Sequence, residues 1–251
     1  MDMQLKGLRA LVTGGTKGIG RAIAETLAKE GASVAFCARN AAEVADAAKA
    51  MSASGSKVIG SVADVGNADS LKAWVAKSAA DLGGIDIVVA NVSALAIGAE
   101  EESWKKGFEV DLMGSVRLVD SAMPFLEKSK HPAIVTISSV SGREIDFASG
   151  PYGAFKAALV HYTQGLAYHL AGKGIRANSV SPANTYFPGG VWSQIESGNP
   201  DFFKVALGMN PTGRMGTPQE MANAVVFLAS PVASFITGTN LVVDGALTKG
   251  V

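Results

Sequence analysis

A single cysteine, Cys37, is all the thiol chemistry this 251-residue chain carries. An internal disulfide is excluded. A reducing cytoplasm is the expected compartment, because the start, Met1-Asp2-Met3-Gln4-Leu5-Lys6-Gly7, has no long apolar signal segment. Net charge is absent as well: 22 Lys and Arg balance 22 Asp and Glu. No global field therefore recruits nucleic acid or an anionic membrane. Long apolar runs are also missing, since the stretch from Ala90 to Ala99 is cut by Asn91, Ser93 and Gly98 and none nears the roughly 20 residues that cross a bilayer. The three histidines, His131, His161 and His169, stand in no metal-ligand pattern. What remains is a soluble protein whose expected partner is a small neutral or modestly charged molecule.

With 48% hydrophobic and 18% charged residues, the chain has the material for a substantial core. Short β-branched runs alternate with longer stretches of helical spacing, the pattern of a parallel sheet covered on both faces. Strands are predicted at Ala10–Val12, Ser33–Cys37, Lys57–Ile59, Asp86–Val89, Ala133–Ile137, Arg176–Val180 and Asn240–Val243, and helices at Ile19–Lys29 and Ala41–Ala53, stopped by Gly31 and Gly55. Thr217-Pro218-Gln219-Glu220 reads as a helix start, with threonine as N-cap, proline at the first helical position and an acidic first turn. No repeat or Pro/Gly/Ser-rich linker divides the chain. The expectation is one doubly wound, Rossmann-like α/β domain over 1–251, with the less regular Pro182 to Asn210 segment as a lid.

After the first strand comes Thr13-Gly14-Gly15-Thr16-Lys17-Gly18-Ile19-Gly20. Gly14 permits a tight turn, Gly18 and Gly20 allow close approach of a pyrophosphate, and a helix opening near Gly18 offers free N–H groups to the anion. The second strand should end beside the adenosine ribose. There the chain reads Cys37-Ala38-Arg39-Asn40, without the carboxylate that usually accepts from a ribose 2′-hydroxyl. Arg39, with Lys17 from the glycine turn, suits a 2′-phosphate instead, which makes NADP(H) the expected cofactor.

Farther along, Tyr152 and Lys156 stand one helical turn apart, with Ser138-Ser139 closing the fifth strand. At that spacing both side chains share a helix face, so the ammonium can lie near the phenol. A tyrosine is a poor base at neutral pH, and a nearby positive charge favours its phenolate form. Tyr152 is thus the candidate proton donor and acceptor, Ser139 the hydrogen-bond donor to a substrate oxygen, and Lys156 an anchor for the nicotinamide ribose. Without the glycine turn, the same pair reads as a partly buried aromatic beside a solvated charge. No Gly-x-Ser-x-Gly elbow surrounds Ser139, which argues against a hydrolase.

These motifs resemble the short-chain dehydrogenase/reductase family from Thr13 to Gly245. Thr13-Gly14-x-x-x-Gly18-Ile19-Gly20 resembles its cofactor turn, Asp64-Val65 its adenine-contacting pair, and Ser139, Tyr152 and Lys156 its catalytic residues. Asn178-x-x-x-Pro182 resembles the entry to its nicotinamide loop, and Arg214-x-Gly216-x-Pro218 and Gly238-x-x-Leu241-x-Val243-Asp244-Gly245 its C-terminal landmarks. The resemblance implies a seven-stranded sheet, a homotetramer or homodimer, and cofactor contacts from Gly14, Thr16, Lys17, Gly18, Ile19, Gly20, Arg39, Asp64, Val65, Asn91, Tyr152, Lys156, Pro182 and Thr185. Four departures stand out. Ser93 replaces a glycine after Ala90-Asn91-Val92, Ala183 replaces the glycine after Pro182, Phe187 replaces a common threonine, and Asp111 stands where the family usually has a catalytic asparagine.

For the substrate, Leu95, Phe147, Phe187, Val191 and Trp192 are candidate apolar pocket walls, with Arg143, Glu144 and Asn184 supplying polarity. A ketone or secondary alcohol with an apolar arm is expected. A 3-oxoacyl thioester on an acyl carrier protein, docked near Lys128 and Lys130, is the alternative, and an NADP-binding sensor or scaffold without turnover is a third reading.

Overall fold

The computed structural model describes residues 2–250, and its centre is a seven-stranded sheet in the order β3-β2-β1-β4-β5-β6-β7. The strands are β1 (Arg9–Thr13), β2 (Ser33–Ala38), β3 (Val58–Val62), β4 (Ile87–Ala90), β5 (Ala133–Ile137), β6 (Arg176–Pro182) and β7 (Asn240–Val243). Every neighbouring pair is parallel. The helices are α1 (Gly18–Lys29), α2 (Ala41–Met51), α3 (Ala68–Leu82), α4 (Glu101–Gly107), α5 (Gly114–Leu126), α6 (Pro151–Leu170), α7 (Val191–Gly198), α8 (Pro200–Gly208) and α9 (Pro218–Ala229).

Two cores explain why the strands read as continuous apolar runs. Ala10, Val12, Val34 and Phe36 pack on one face with Ile23 and Leu27 of α1 and Val225 of α9. Leu11, Ala35 and Cys37, alternating with them, pack on the other with Leu71 of α3, Leu118 of α5 and Ala167 of α6. Period-two alternation persists, but both sides meet apolar helices. Strand order reverses beside β1, whose neighbours are β2 and β4. That switch point, at the carboxyl ends of the strands, is where an open α/β sheet leaves a crevice.

All seven predicted strands occur, β5 and β7 with the predicted bounds and the others with an end shifted by one to three residues, β6 running on to Pro182. Thr217 and Glu220 form a full capping box at the start of α9. Arg214 donates to the Glu220 carboxylate and, with the Thr217 N–H, draws its pKa down to about 2. The segment expected to be irregular is the main difference, since it contains α7 and α8. Asn199 accepts from the Phe202 N–H at 3.2 Å and Pro200 occupies the first turn. Trp192, Ala206 and Met215 then form a third small core with Phe202, Phe203 and Leu207 around it. The Gly and Pro residues that read as loop in the sequence are helix punctuation.

Candidate active site

Ser139 follows β5 at the carboxyl edge of the sheet, where a single 3₁₀ turn over Val140–Gly142 begins. Its Oγ accepts from the Ser141 N–H at 3.2 Å and lies 3.3 Å from Ser141 Oγ. Beside it, Ser138 donates to the Lys156 carbonyl at 2.7 Å and so ties the strand end to α6. Pro151 opens α6, which places Tyr152 and Lys156 in its first two turns and on the side facing the cleft. The Lys156 ammonium donates to the Ile137 carbonyl at 2.9 Å and lies 5.6 Å from the centre of the Tyr152 ring.

Asp111 completes this cluster. It sits in a π-helical turn over Phe108–Met113 that joins α4 to α5, a local irregularity often found at functional sites. Its side chain is 1% exposed and that of Lys156 3%, and they form an ion pair at 3.4 Å. Oδ2 accepts from the Ala94 N–H at 2.8 Å, whereas Oδ1 has no hydrogen-bond partner among the described residues. A buried carboxylate held this way answers the buried ammonium, since either charge alone would be costly to desolvate.

At the other end of the crevice the glycine turn has the shape an anion needs. Gly14 and Gly18 have φ of +71° and +57°, and a Cβ on Gly20 would collide with the Gly14 carbonyl and Asn91. Among the described residues no side chain caps α1 at Lys17, and its first turn holds no acid. Its leading N–H groups are thus available to a pyrophosphate. Asn91 braces the turn from β4, donating through its backbone N–H to Thr13 Oγ1 and through Nδ2 to the Thr13 carbonyl, each at 3.0 Å. These residues fit a dinucleotide. Arg39 lies exposed just beyond β2, Asp64 caps its own loop by accepting from the Gly66 N–H at 2.9 Å, and Val65 is buried against the α5 side.

Between the two ends runs a cavity of about 300 Å³ lined by Gly18, Ser139, Tyr152, Lys156, Pro182 and Thr185 among others. Six of the predicted substrate residues line it: Leu95, Phe147, Asn184, Phe187, Val191 and Trp192. Arg143 is not among the lining residues. It faces the end of the chain, near Asp244 and Gly250, and the neighbouring Glu144 accepts from the N–H groups of Lys249 and Gly250. Ile97 and Ser141 line the cavity without having been singled out in the sequence, and Ser93, noted there only as a replacement for a glycine, lines it too. Phe187 lies against Gly18, with ring atom Cζ 2.6 Å from where a Cβ there would sit. Thr185 is held by a bridge to Gly216, which explains why Arg214-x-Gly216 accompanies the loop. Lys128 and Lys130 precede β5 at the opposite, amino edge of the sheet, away from Ser139.

A doubly wound parallel sheet with an anion-ready glycine turn and a convergent Ser139, Tyr152 and Lys156 defines an oxidoreductase of ketone and alcohol groups. The family model described as enoyl-(acyl carrier protein) reductase matches residues 14–248. Isoepoxydon dehydrogenase patN of Penicillium expansum is 41% identical, with 98% of this chain and 96% of that protein covered. The 3-oxoacyl-[acyl-carrier-protein] reductase FabG of Escherichia coli is 35% identical, over 98% and 99%. L-sorbose reductase of Gluconobacter frateurii, solved with NADPH and L-sorbose, superposes with a TM-score of 0.92 at 29% identity over 100% of both chains. The chain belongs to the short-chain dehydrogenase/reductase family.

Proposed function

We propose that this protein reduces a neutral ketone, or oxidises the matching secondary alcohol, with NADP(H), and that Tyr152 is its general acid and base. The observation that carries the reading is the placement of Ser139, Tyr152 and Lys156 on one wall of the cleft whose other end is the glycine turn. Gly14, Gly18, Ile19 and Gly20 would hold the pyrophosphate, Arg39 and Lys17 the 2′-phosphate, Asp64 and Val65 the adenine side, and Asn91, Pro182 and Thr185 the nicotinamide side. When bound, the nicotinamide supplies or accepts the hydride.

This chain's residues manage the oxygen. Ser139 Oγ donates a hydrogen bond to the carbonyl oxygen, and the Tyr152 hydroxyl gives that oxygen its proton as the alcohol forms. Lys156 sets its ammonium beside the Tyr152 ring, where negative charge develops as the proton leaves, and anchors the ribose, while Asp111 acts through Lys156 as a positioning residue. Apart from Lys17 and Lys156, the side chains lining the cavity carry no charge, and Leu95, Phe147, Val191 and Trp192 give it apolar walls. That lining supports a neutral substrate with an apolar arm. Helices α7 and α8, which carry Trp192 and Phe202, are the cover.

A second reading, a 3-oxoacyl thioester reductase, is supported by the identity to FabG and by a largely apolar pouch of about 190 Å³, bordered by Glu144 and Asp146, that shares Val140, Phe147 and Asn184 with the main cavity. The positions of Lys128 and Lys130 do not support carrier docking there. A panel of ketones, secondary alcohols and 3-oxoacyl thioesters, each followed by absorbance with NADPH and NADH, separates the readings. Turnover of simple ketones with NADPH is expected, and turnover of none of the panel would favour the sensor reading. For assembly and place we propose a cytoplasmic homotetramer or homodimer. The exposed aromatics Trp104 and Phe108 beside Phe155 support a further interface, and no described helix is long and apolar enough to cross a membrane.

A further inference from the structure

The ribose corner lacks a carboxylate on β2, yet one arrives there from the next element. Glu43 is the third residue of α2. The Asn40 side chain fixes that first turn by accepting from the N–H groups of Ala42 and Glu43 at 3.0 and 3.2 Å. From there the Glu43 side chain reaches back to the glycine turn, where Thr16 Oγ1 donates to Oε2 at 3.1 Å and the Lys17 ammonium stands 3.9 Å from Oε1. The two polar side chains that the turn offers to an adenosine phosphate are therefore already engaged by an anion. Arg39 remains exposed and makes no ion pair among the described residues.

The side chains of Lys17 and Glu43 are 68% and 43% exposed, so the contact is weak enough to exchange with a ligand. A 2′-phosphate entering between Lys17 and Arg39 would compete with Glu43 for Lys17 and lie in its repulsive field. A 2′-hydroxyl would meet a carboxylate able to accept its hydrogen bond. We infer that Glu43 is a specificity-determining residue for the cofactor, limiting the preference for a 2′-phosphorylated dinucleotide and retaining capacity for the unphosphorylated one. This rests on the cofactor reading given above, and the experiment separates the two.

The probes are 2′,5′-ADP and 5′-ADP, which carry the adenosine corner without the reactive ring, titrated calorimetrically into the intact protein. In the unmodified protein 2′,5′-ADP should bind more tightly than 5′-ADP. Equal binding of the two would defeat the cofactor reading, whatever the variants do. Glu43→Gln keeps a partner for Thr16 and removes the charge, so the preference for 2′,5′-ADP over 5′-ADP should rise by about two- to fivefold. The gain should shrink as salt is raised. Glu43→Ala, which removes the side chain's reach altogether, should move the ratio in the same direction. A ratio that stays constant or falls in both variants, with unchanged circular dichroism, overturns the role assigned to Glu43 and makes it a prop for the turn.

Discussion

Cys37 shows how burial decides chemistry at the scale of one residue. Buried on β2 against the core beneath α3 and α5, its thiol is pushed up to about 12 by desolvation, against the Gly14 hydrogen bond and with help from the Asp64 charge. A thiol reagent at pH 8 should therefore leave the native protein unmodified and titrate one thiol after denaturation; rapid labelling of the native form would contradict the packing. Asp111 is the more consequential residue. Asp111→Asn can still accept from the Ala94 N–H but removes the countercharge of Lys156. It should keep the fold and much of the activity while changing the pH profile of kcat, whereas Asp111→Leu, which strands a buried ammonium, should cost about 3–5 kcal/mol in urea denaturation. An unaltered pH profile in Asp111→Asn would show that the ion pair has no part in the reaction. The Arg39→Ala variant should weaken NADPH binding by about 1.5–3 kcal/mol and NADH binding much less, as fluorescence titration would reveal. Residues spaced along one helix, such as Tyr152 and Lys156, were legible because helical geometry alone makes them neighbours. The Asp111 to Lys156 contact and the approach of Glu43 to Lys17 cross between elements, and Arg143 turns away with a loop, so local spacing carried no signal for any of them.

Among the elements, the start of β1 is fixed to the start of β4 through Asp86. Its carboxylate accepts from the Arg9 N–H at 2.9 Å, from Arg9 Nε and Nη2 at 2.7 Å, and from Ser129 Oγ at 2.5 Å. Burial pushes its pKa up, but the hydrogen bonds from Arg9 and Ser129 together hold it below the ordinary carboxylate value. A depressed folded-state pKa gives stability that is present above the unfolded value, about 4, and lost as pH falls through that range. Asp86→Asn should consequently lower Tm at pH 7 and flatten the decline of Tm on acidification below about pH 5; parallel Tm curves for the two proteins would contradict this linkage. Helix starts with capping chemistry, as at Thr217, were legible because each signal is local. Helices α7 and α8 were not, since Gly189, Gly190 and Pro200 punctuate them and their aromatic packing, with Trp192 and Phe202 stacked at 6.1 Å, is long-range information.

For the molecule as a whole, the alternation of apolar runs with helical stretches made the doubly wound sheet readable, because parallel strands buried on both faces leave that pattern in any order of connection. The number of strands came through the family resemblance, whereas their order, β3-β2-β1-β4-β5-β6-β7, is seen only in the structure. Exposed aromatics, Trp104 and Phe108 only partly covered by Phe155 on the α4 side and Phe235 fully open near β7, lead us to expect a multiple of the chain mass in light scattering after size exclusion; a monomer at micromolar concentration would oppose it. The central claim concerns proton transfer by Tyr152, which lines the same cavity as Ser139 and Lys156. Stopped-flow measurement of NADPH oxidation on a ketone turned over by the unmodified protein tests it most directly when repeated with Tyr152→Phe. A fall of about 10²-fold or more in the hydride-transfer rate, with fold and NADPH affinity retained, is the predicted result, and near-normal hydride transfer in the folded variant would contradict the account.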